Sequence, residues 1–354
     1  MRLAQVGLGR WARAHVAAAQ RSDRVEIVTC FSRNREHREE FAREWAIPHA
    51  AASYEDVLAD PGIDAVVLST PNDVHADMAL AAIAAGKAVL VDKPVSISVA
   101  QGLPLLRALD GGPPVGVAHH ASRLAGHRAI VDWYRSGVAG DIRVIHATFS
   151  NARGALMSPD AWHRHVPGSE AGALIQVGIH QVDNVLAAAG PALTVNARFE
   201  YGVLGPRIPT SAMVMMTHLG GALSSVSSSW TTPSHYRFDV EATGGNMEFQ
   251  AHHGYWTSAD VDAHTELMLD PADGDRRPYP MEPGDPLRDQ LDDLAAAVSD
   301  ETQYTPGVVD GLRAMIVVEA AVQSAAAGGM PVVIGELLRN AGATETEVAV
   351  LTSE

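Results

Sequence analysis

Between residue 2 and about residue 118, short apolar runs alternate with amphipathic stretches, and few architectures accommodate that rhythm. Leu3 to Val6 is followed by Trp11 to Ala19, and Val25 to Phe31 by Asn34 to Trp45. Ala65 to Ser69 then gives way to Val74 to Ala85, and Ala88 to Val91 to Ser98 to Leu109, before Val115 to Ala118 closes the series. Apolar runs this short fit strands buried on both faces, with the amphipathic stretches as covering helices. The pattern predicts an α/β unit with a doubly wound parallel sheet. Turn residues punctuate it, as in Asp60-Pro61-Gly62 and Gly111-Gly112-Pro113-Pro114.

After about residue 120 the rhythm changes. A helical segment from Ser122 to Ser136 precedes a strand-like Val144 to Phe149, an irregular stretch, and a second helical segment from about Leu174 to Ala189. Period-two runs follow at Thr194 to Tyr201, Ala212 to Thr217, Ala222 to Trp230 and Tyr236 to Thr243. Small polar residues alternate with apolar ones there, which predicts a sheet with one less apolar face, open to a helix, a substrate or another subunit. Residues 252 to 286 are rich in Pro, Asp and Gly and are expected to be loops. Helices are expected over Leu287 to Val298 and Val308 to Ala327, the latter stopped by Gly328-Gly329. A chain of 354 residues suits two domains, placed at 1–120 and 121–354, with the late helix at about 308–327 packing back toward the first.

The formal charge of -16 makes nucleic acid and anionic membranes poor partners. A phosphate-bearing ligand must instead be captured by local backbone dipoles and a few arginines. The single cysteine, Cys30, lies in an apolar run and can form neither an intrachain disulfide nor a cysteine metal cluster. No run of about eighteen apolar residues is present, and Arg10 and Arg13 interrupt the amino-terminal stretch, so a cytoplasmic location is expected.

The first strand runs directly into Gly7-Leu8-Gly9-Arg10-Trp11-Ala12, a G-x-G-x-x-A turn that enters a helix. The glycines let the backbone turn tightly and approach a pyrophosphate, while the small Ala12 lets helix pack on strand. Helix N–H groups then face the phosphates. The alternative is a plain strand-to-helix turn. About twenty residues on, a NAD-preferring site usually carries a carboxylate for the adenosine ribose. Here the strand ends in Phe31-Ser32-Arg33-Asn34. Ser32 and Arg33 suit a 2′-phosphate, so NADP(H) is favoured as cofactor, with NAD(H) the alternative.

Only two of the 26 basic side chains are lysines, Lys87 and Lys93. Where charge alone sufficed, the chain uses arginine. Lys93 follows the apolar run Ala88 to Val91 between Asp92 and Pro94, and a partly buried amine can be tuned to exchange a proton near neutral pH, which a guanidinium cannot. It is a candidate active-site acid. Lys87, after Gly86 in a helix-to-strand turn, is expected to be solvated and without a role.

Three landmarks now coincide: VGLGRWA at 6–12, VDKP at 91–94 and AGALIQVGIHQVD at 171–183. With Thr70-Pro71-Asn72, His75 and the late helix GLRAMIVVEAAVQSAAAGG, the chain resembles the Gfo/Idh/MocA family over nearly its whole length. The resemblance implies a Rossmann domain followed by an α+β domain built on a large, mostly antiparallel open sheet. It also implies an NAD(P)-dependent oxidoreductase acting on CH-OH groups of a sugar, cyclitol or related polyhydroxy compound. The cofactor is expected to meet Gly7, Gly9, Arg10, Trp11, Ser32, Arg33, Thr70, Asn72, His75 and Lys93. In the family the motif around Lys93 is usually Glu-Lys-Pro, so Asp92 is a departure that keeps the charge and shortens its reach. A larger departure stands at Gln176, where the family usually has aspartate.

On a regular helix Gln176, His180 and Asp183, four and three residues apart, share one face and line a wall of a cleft. Glutamine there can orient an imidazole but cannot accept its proton. Lys93 and His180 are the expected acid-base pair, with Gln176 and Asp183 beside them. His120, Arg123, Trp162, Arg164 and His180 are expected to contact substrate. No metal is expected: His119-His120, His163-Arg164-His165 and His252-His253 lack helical zinc spacing and have no cysteine support. The resemblance further implies a homodimer or homotetramer. Two other readings stay open: a cofactor-binding sensor or interaction protein without activity, which the Gln176 departure keeps in play, and an enzyme using its cofactor for redox-assisted elimination, epimerisation or glycoside cleavage.

Overall fold

The computed structural model describes residues 1–353 except 159, 165–167 and 253–255. Its chain divides into two compact units, one of residues 1–97, 101–120 and 285–311, the other of 98–100, 121–284 and 312–354. The first unit ends its main run at His120 and later takes in Asp285–Gly311.

The amino-terminal run alternates β1 (Arg2–Val6), α1 (Arg10–Ala19), β2 (Glu26–Phe31), α2 (Arg35–Glu44), β3 (His49–Ala50) and α3 (Tyr54–Ala59). It continues with β4 (Ala65–Leu68), α4 (His75–Ala84), β5 (Ala88–Asp92), α5 (Val99–Arg107) and β6 (Val115–Ala118). All six strands pair in parallel in the order β3-β2-β1-β4-β5-β6. That order reverses direction between β1 and β4, which opens a crevice at the carboxyl ends of these strands. Every residue of β4 is buried, as expected for a strand covered on both faces. Two short elements, β3 and α3, were not expected from the apolar pattern. The helix α3 is fixed instead by a capping box in which Ser53 and Asp56 exchange side chain to backbone bonds.

The second run contains α6 (Ala125–Arg135), β7 (Ile142–Ser150), α7 (Ile179–Ala189), β8 (Ala192–Gly202), β9 (Gly205–His218), β10 (Leu223–Ser229), β11 (His235–Ala242), β12 (Gly245–Ala251), β13 (Thr265–Pro271) and β14 (Arg277–Pro278). After α8 (Pro286–Ser299) and α9 (Val308–Ala326) come β15 (Val332–Val333), α10 (Ile334–Asn340) and α11 (Glu345–Thr352). Nine strands form one sheet in the order β14-β13-β12-β11-β7-β10-β9-β8-β15, antiparallel except where β10 pairs with β7. The expectation of loops throughout 252–286 is corrected by β13. Within that Pro- and Gly-rich region Glu266, Leu267, Met268, Leu269 and Asp270 alternate outward and inward, and the segment pairs with β12.

One face of the large sheet carries α7, while the other leaves Met213 and Met215 each 60% exposed and Leu223 53% exposed. In the first unit α8 packs on α1 and β5, burying Leu287, Leu291 and Leu294 with Leu3, Val16 and Leu90. Asp285 caps α8 through the N–H of Arg288 and also pairs with Arg21 at 2.6 Å. Among the described residues no helix is long and apolar enough to cross a membrane.

Candidate active site

The glycine turn is built by two glycines under opposite constraints. Gly7 has φ +80°, and a Cβ there would lie 2.4 Å from the carbonyl oxygen of Ser69. Only glycine fits. Gly9 has an ordinary φ of -79°, and a Cβ there would meet nothing within 4 Å. The helix α1 starts at the next residue with no side-chain cap and no acidic residue in its first turn. Its first N–H groups thus have no side-chain cap and no carboxylate of the helix's own first turn in competition. Beneath the turn, the buried Gln5 amide donates to the carbonyls of Gly7 at 3.2 Å and Val67 at 3.3 Å, and to Ser69 Oγ at 3.2 Å. These bonds tie the ends of β1 and β4 together. The arrangement fits a dinucleotide pyrophosphate.

At the end of β2, the Oγ of Ser32 donates to the Asn34 carbonyl and Arg33 is exposed. Arg38, which the motif reading missed, donates through a guanidinium nitrogen to the Ser32 carbonyl at 3.2 Å. A second cation therefore stands beside the two expected phosphate ligands. It was hidden because it comes from the second turn of α2 and not from the strand end.

Thr70, Asn72 and His75 follow β4, and Lys93 is half-buried one residue beyond β5. The ring nitrogens of the buried His75 lie 2.7 Å from the Pro94 carbonyl and 2.8 Å from that of Thr70, so this ring sits between the segment after β4 and the turn that carries Lys93, its single neutral N–H donating to one of the two carbonyls. Burial holds its basicity below the ordinary imidazole value, against the opposing pull of the Pro94 carbonyl and Asp92. A second buried imidazole, His15 of α1, sets Nδ1 3.2 Å from Ser69 Oγ and Nε2 3.8 Å from Asp92. Burial lowers its pKa and Asp92 partly offsets this. His15 was not singled out from the sequence, although a histidine in the apolar stripe of Ala12, Val16 and Ala19 is the available signal. Trp11 and His120, expected to meet cofactor and substrate, come together with ring centroids 5.0 Å apart, and the Arg10 guanidinium lies 5.9 Å from the Trp11 ring.

Lys87 is not solvated. It is buried, and its ammonium donates to the carbonyls of Asp60 and Ile63, each at 2.7 Å, closing the turn before β4. Its role is structural.

In the second unit the helical spacing of the His180 segment needs correction. Leu174–Gly178 is a π-helix, in which the N–H of Ile179 bonds the Leu174 carbonyl five residues back, and α7 begins only at Ile179. Gln176 therefore is not one α-helical turn from His180, whereas His180 and Asp183 do share a face of α7. The segment lies tight on the sheet: a Cβ on Gly178 would stand 2.9 Å from Ser228 Oγ. His180 is buried, its ring 6.1 Å from Phe149 and 5.9 Å from Trp256, and those two rings pack on each other at 4.7 Å and on Tyr236 at 5.1 and 5.0 Å.

A polar clasp holds the next turn. The Tyr236 hydroxyl lies in hydrogen-bonding contact with His127 Nε2 at 2.6 Å and accepts from Asn184 at 3.1 Å, while Gln181 donates to the carbonyls of Thr148 and Arg237. Burial pushes His127 down to about 3 and Tyr236 far up, with the Asp183 carboxylate adding to the latter. Both stay neutral across the working range.

Arg123 is buried just before α6. Arg164 donates to the carbonyls of Met157 at 3.5 Å and Val203 at 3.3 Å. The side chain of Trp162, and His165 and His253, lie outside the described residues. Lys93 belongs to the first unit and His180 to the second. Among the described residues no three His, Cys, Asp or Glu side chains gather as a metal site.

Comparison with known proteins agrees with this geometry. Residues 1–112 match the model of an oxidoreductase family with an NAD-binding Rossmann fold, and 127–260 match the GFO/IDH/MocA C-terminal domain. The chain is 28% identical to 1,5-anhydro-D-fructose reductase of Ensifer adhaerens over 75% of its own length and 82% of the relative's. It is 27% identical to a D-xylose 1-dehydrogenase (NADP(+)) of Haloferax volcanii, covering 92% of this chain and 97% of that one. A solved structure from Desulfitobacterium hafniense, assigned as an NADPH-dependent oxidoreductase, superposes with a TM-score of 0.89 at 26% identity over 95% of this chain and 98% of the other. A glycine turn open to pyrophosphate, a lysine after β5 and a histidine on α7 thus sit in a chain that belongs to the Gfo/Idh/MocA family of NAD(P)-dependent oxidoreductases.

Proposed function

We propose that the protein transfers hydride between NADP(H) and a secondary alcohol or ketone of a sugar, cyclitol or related polyhydroxy compound, with Lys93 and His180 as its acid-base groups. The observation that carries this reading is the open glycine turn at the strand ends, with Lys93 at the end of β5 in the same unit. Sugar substrates in the names of the relatives support the substrate class. Preference for the 2′-phosphate rests on Ser32, Arg33 and Arg38, with no carboxylate among residues 31–34.

The bound nicotinamide supplies or accepts the hydride. The chain's work is to hold the dinucleotide and to move one proton. Gly7, Gly9 and the first turn of α1 take the pyrophosphate, with Arg10 and Trp11 beside it. Thr70 and Asn72 continue the binding edge, and His75 supports it from behind. In oxidation the neutral Nζ of Lys93 or a neutral imidazole nitrogen of His180 takes the hydroxyl proton, and in reduction the protonated group returns it to the forming alkoxide. Asp183, on the same face of α7 as His180, orients the imidazole, and Gln176 lies in the π segment that precedes them. His120, Arg123 and Arg164 are the proposed substrate contacts, Trp162 with them. A homodimer or homotetramer is supported by the exposed Met213, Met215 and Leu223 on the sheet's open face, and a cytoplasmic setting by the lone, buried Cys30.

The test is a screen of sugars, inositols and their keto forms with both dinucleotides, followed by nicotinamide absorbance. At least one substrate is expected to turn over, faster with the 2′-phosphorylated cofactor. Lys93→Met is expected to lose about 100-fold or more in kcat. Equal turnover by the variant removes Lys93 from the chemistry.

A further inference from the structure

Helix α1 buries an imidazole that has no part in the proton transfer proposed above. His15 is 1% exposed in the stripe of Ala12, Val16 and Ala19, where leucine would fill the space without a polar group to satisfy. Both ring nitrogens face polar groups at strand ends. Nδ1 lies 3.2 Å from Ser69 Oγ, just past β4, and Nε2 lies 3.8 Å from the carboxylate of Asp92, the last residue of β5. Lys93 is the next residue.

The neighbours of the ring fix the direction of its hydrogens. The Gln5 amide nitrogen faces the carbonyls of Gly7 and Val67, which only accept, so toward Ser69 Oγ it can only donate. The Ser69 hydroxyl thus keeps its own hydrogen to give to Nδ1 of His15. Burial favours the neutral ring, and with Nδ1 accepting, its one hydrogen sits on Nε2, toward Asp92. The opposite tautomer would turn a ring lone pair toward the carboxylate, which is repulsive. A directed series results, from Gln5 through Ser69 and His15 to Asp92, and it ends beside the proposed acid-base lysine. At 3.8 Å its last member is an electrostatic contact and not a close hydrogen bond. With 15% of its side chain exposed, Asp92 is only weakly screened by solvent.

The charges around the pair are placed elsewhere. Helix α4 contributes His75, on which Asp92 and Lys93 both act, and the segment after β6 contributes His120, with its ring 5.0 Å from that of Trp11. Helix α8 turns Leu287, Leu291 and Leu294 to the core, while its Asp285 pairs with Arg21, its Asp292 accepts from Ser22 and its Asp289 pairs with Arg288. Arg13 of α1 pairs with Glu44 of α2 on the exposed side. Asp92 is the charged group that acts on His15.

We propose that His15 is a positioning residue: through Nε2–H it holds the Asp92 carboxylate on the α1 side of β5 and so limits how strongly that carboxylate stabilises the ammonium form of Lys93. The inference rests on the reading of Lys93 as an acid-base group for its functional consequence, an amine that can be neutral when it must take a proton. Without the imidazole the carboxylate would turn its full field on the ammonium and raise the basicity of the amine.

Two lysines make the test direct, because protein grown with lysine carrying carbon-13 at the ε position gives one signal from Lys87 and one from Lys93. The signal lost in Lys93→Met is that of Lys93, and its midpoint is read by titrating the free protein, without cofactor, substrate or turnover. His15→Leu is expected to raise that midpoint by about one pH unit, and His15→Gln, which keeps a donor facing Asp92, to stay within about 0.3 of wild type. In an Asp92→Asn background, adding His15→Leu should move it by less than about 0.3, since the carboxylate through which His15 acts is gone. An unmoved midpoint in His15→Leu overturns the proposal. An equal shift with and without the Asp92 carboxylate overturns it too, because packing alone would then be the cause. If His15→Leu does not fold, His15→Phe carries the same expectations through the same cycle. The functional reading fails separately: if Lys93→Met turns over substrate as wild type does, the acid-base role is lost, while a raised midpoint in His15→Leu still keeps the link from His15 to Lys93.

Discussion

Helices α1 and α7 both begin without a side-chain cap, each after a glycine, and they use that start in opposite ways. The chain leaves Gly9 with open space above it and gives α1 no acidic residue in its first turn. The N–H groups of that turn stay available to an outside anion. Before α7 the N–H groups are consumed by the chain itself, Gln176 bonding Gly172 and Ile179 bonding Leu174 through the π segment. Gly178 lies against Ser228 and not against open space. The first helix leaves its leading backbone groups without partners from its own chain, and the second is a scaffold closed by the chain's own bonds. Its next turn is locked by Asn184, Tyr236 and His127. A cofactor recognised mostly by its phosphates suits the first device. A substrate recognised by the placing of hydroxyls suits the second.

The largest effect that would break this contrast is expected at Gly7. Alanine there must hold φ +80° with its Cβ 2.4 Å from the Ser69 carbonyl, and backbone cannot move aside as a side chain can. Gly7→Ala is expected to cost about 3–5 kcal/mol, read as a fall in the urea midpoint at unchanged m. A loss under 1 kcal/mol would mean that the turn is not built as described.

A smaller effect comes from the closed scaffold. His127 titrates at about 3 when folded and near 6.5 when unfolded, so below pH 6.5 the unfolded chain binds the extra proton. Its contribution is complete above about 6.5 and is lost as pH falls toward 3, at about 1.4 kcal/mol per pH unit, or about 2 kcal/mol at pH 5. His15, His75 and His218 shift in the same direction and add to the slope. Unfolding free energies between pH 7 and 4.5 should therefore fall less steeply in His127→Gln than in wild type. Parallel curves would show that His127 is not buried in its neutral form.

The same contrast explains what could be read from the sequence. The crevice, the order of motifs and the glycine turn were legible because backbone constraints are written in residue types: Gly7 where φ is positive, Ala12 where helix meets strand, alternating apolar runs where a sheet is covered on both faces. The closed scaffold was legible only in part. His180 and Asp183 were candidates from the resemblance, and their spacing does put them on one face of α7, but nothing in Leu174-Ile175-Gln176-Val177-Gly178 marks a π segment, because it is set by how the chain seats on β10. Arg38 and His15 act one or two turns into their helices, away from the strand ends where a motif scan looks. Lys87 was misjudged because its two carbonyl partners come from 24 and 27 residues earlier in the chain. β13 was concealed by flanking Pro, Asp and Gly that punctuate the chain without preventing a short ladder.

Gly9 gives the smallest expected effect and the sharpest use of the comparison. Its φ of -79° suits any residue and its missing Cβ points into open space, so Gly9→Ala should leave stability within about 0.5 kcal/mol of wild type. That same open space is where a pyrophosphate must approach the first turn of α1, so a methyl group there should weaken dinucleotide binding about tenfold, equally for NAD+ and NADP+ because the intrusion is at their shared group. Tryptophan fluorescence titrations with both dinucleotides measure this directly. Unchanged affinity at unchanged stability would mean that the open turn is not where the phosphates lie. A loss confined to NADP+ would place the intrusion at the 2′-phosphate instead, and would move the role assigned to Gly9 to the end of β2.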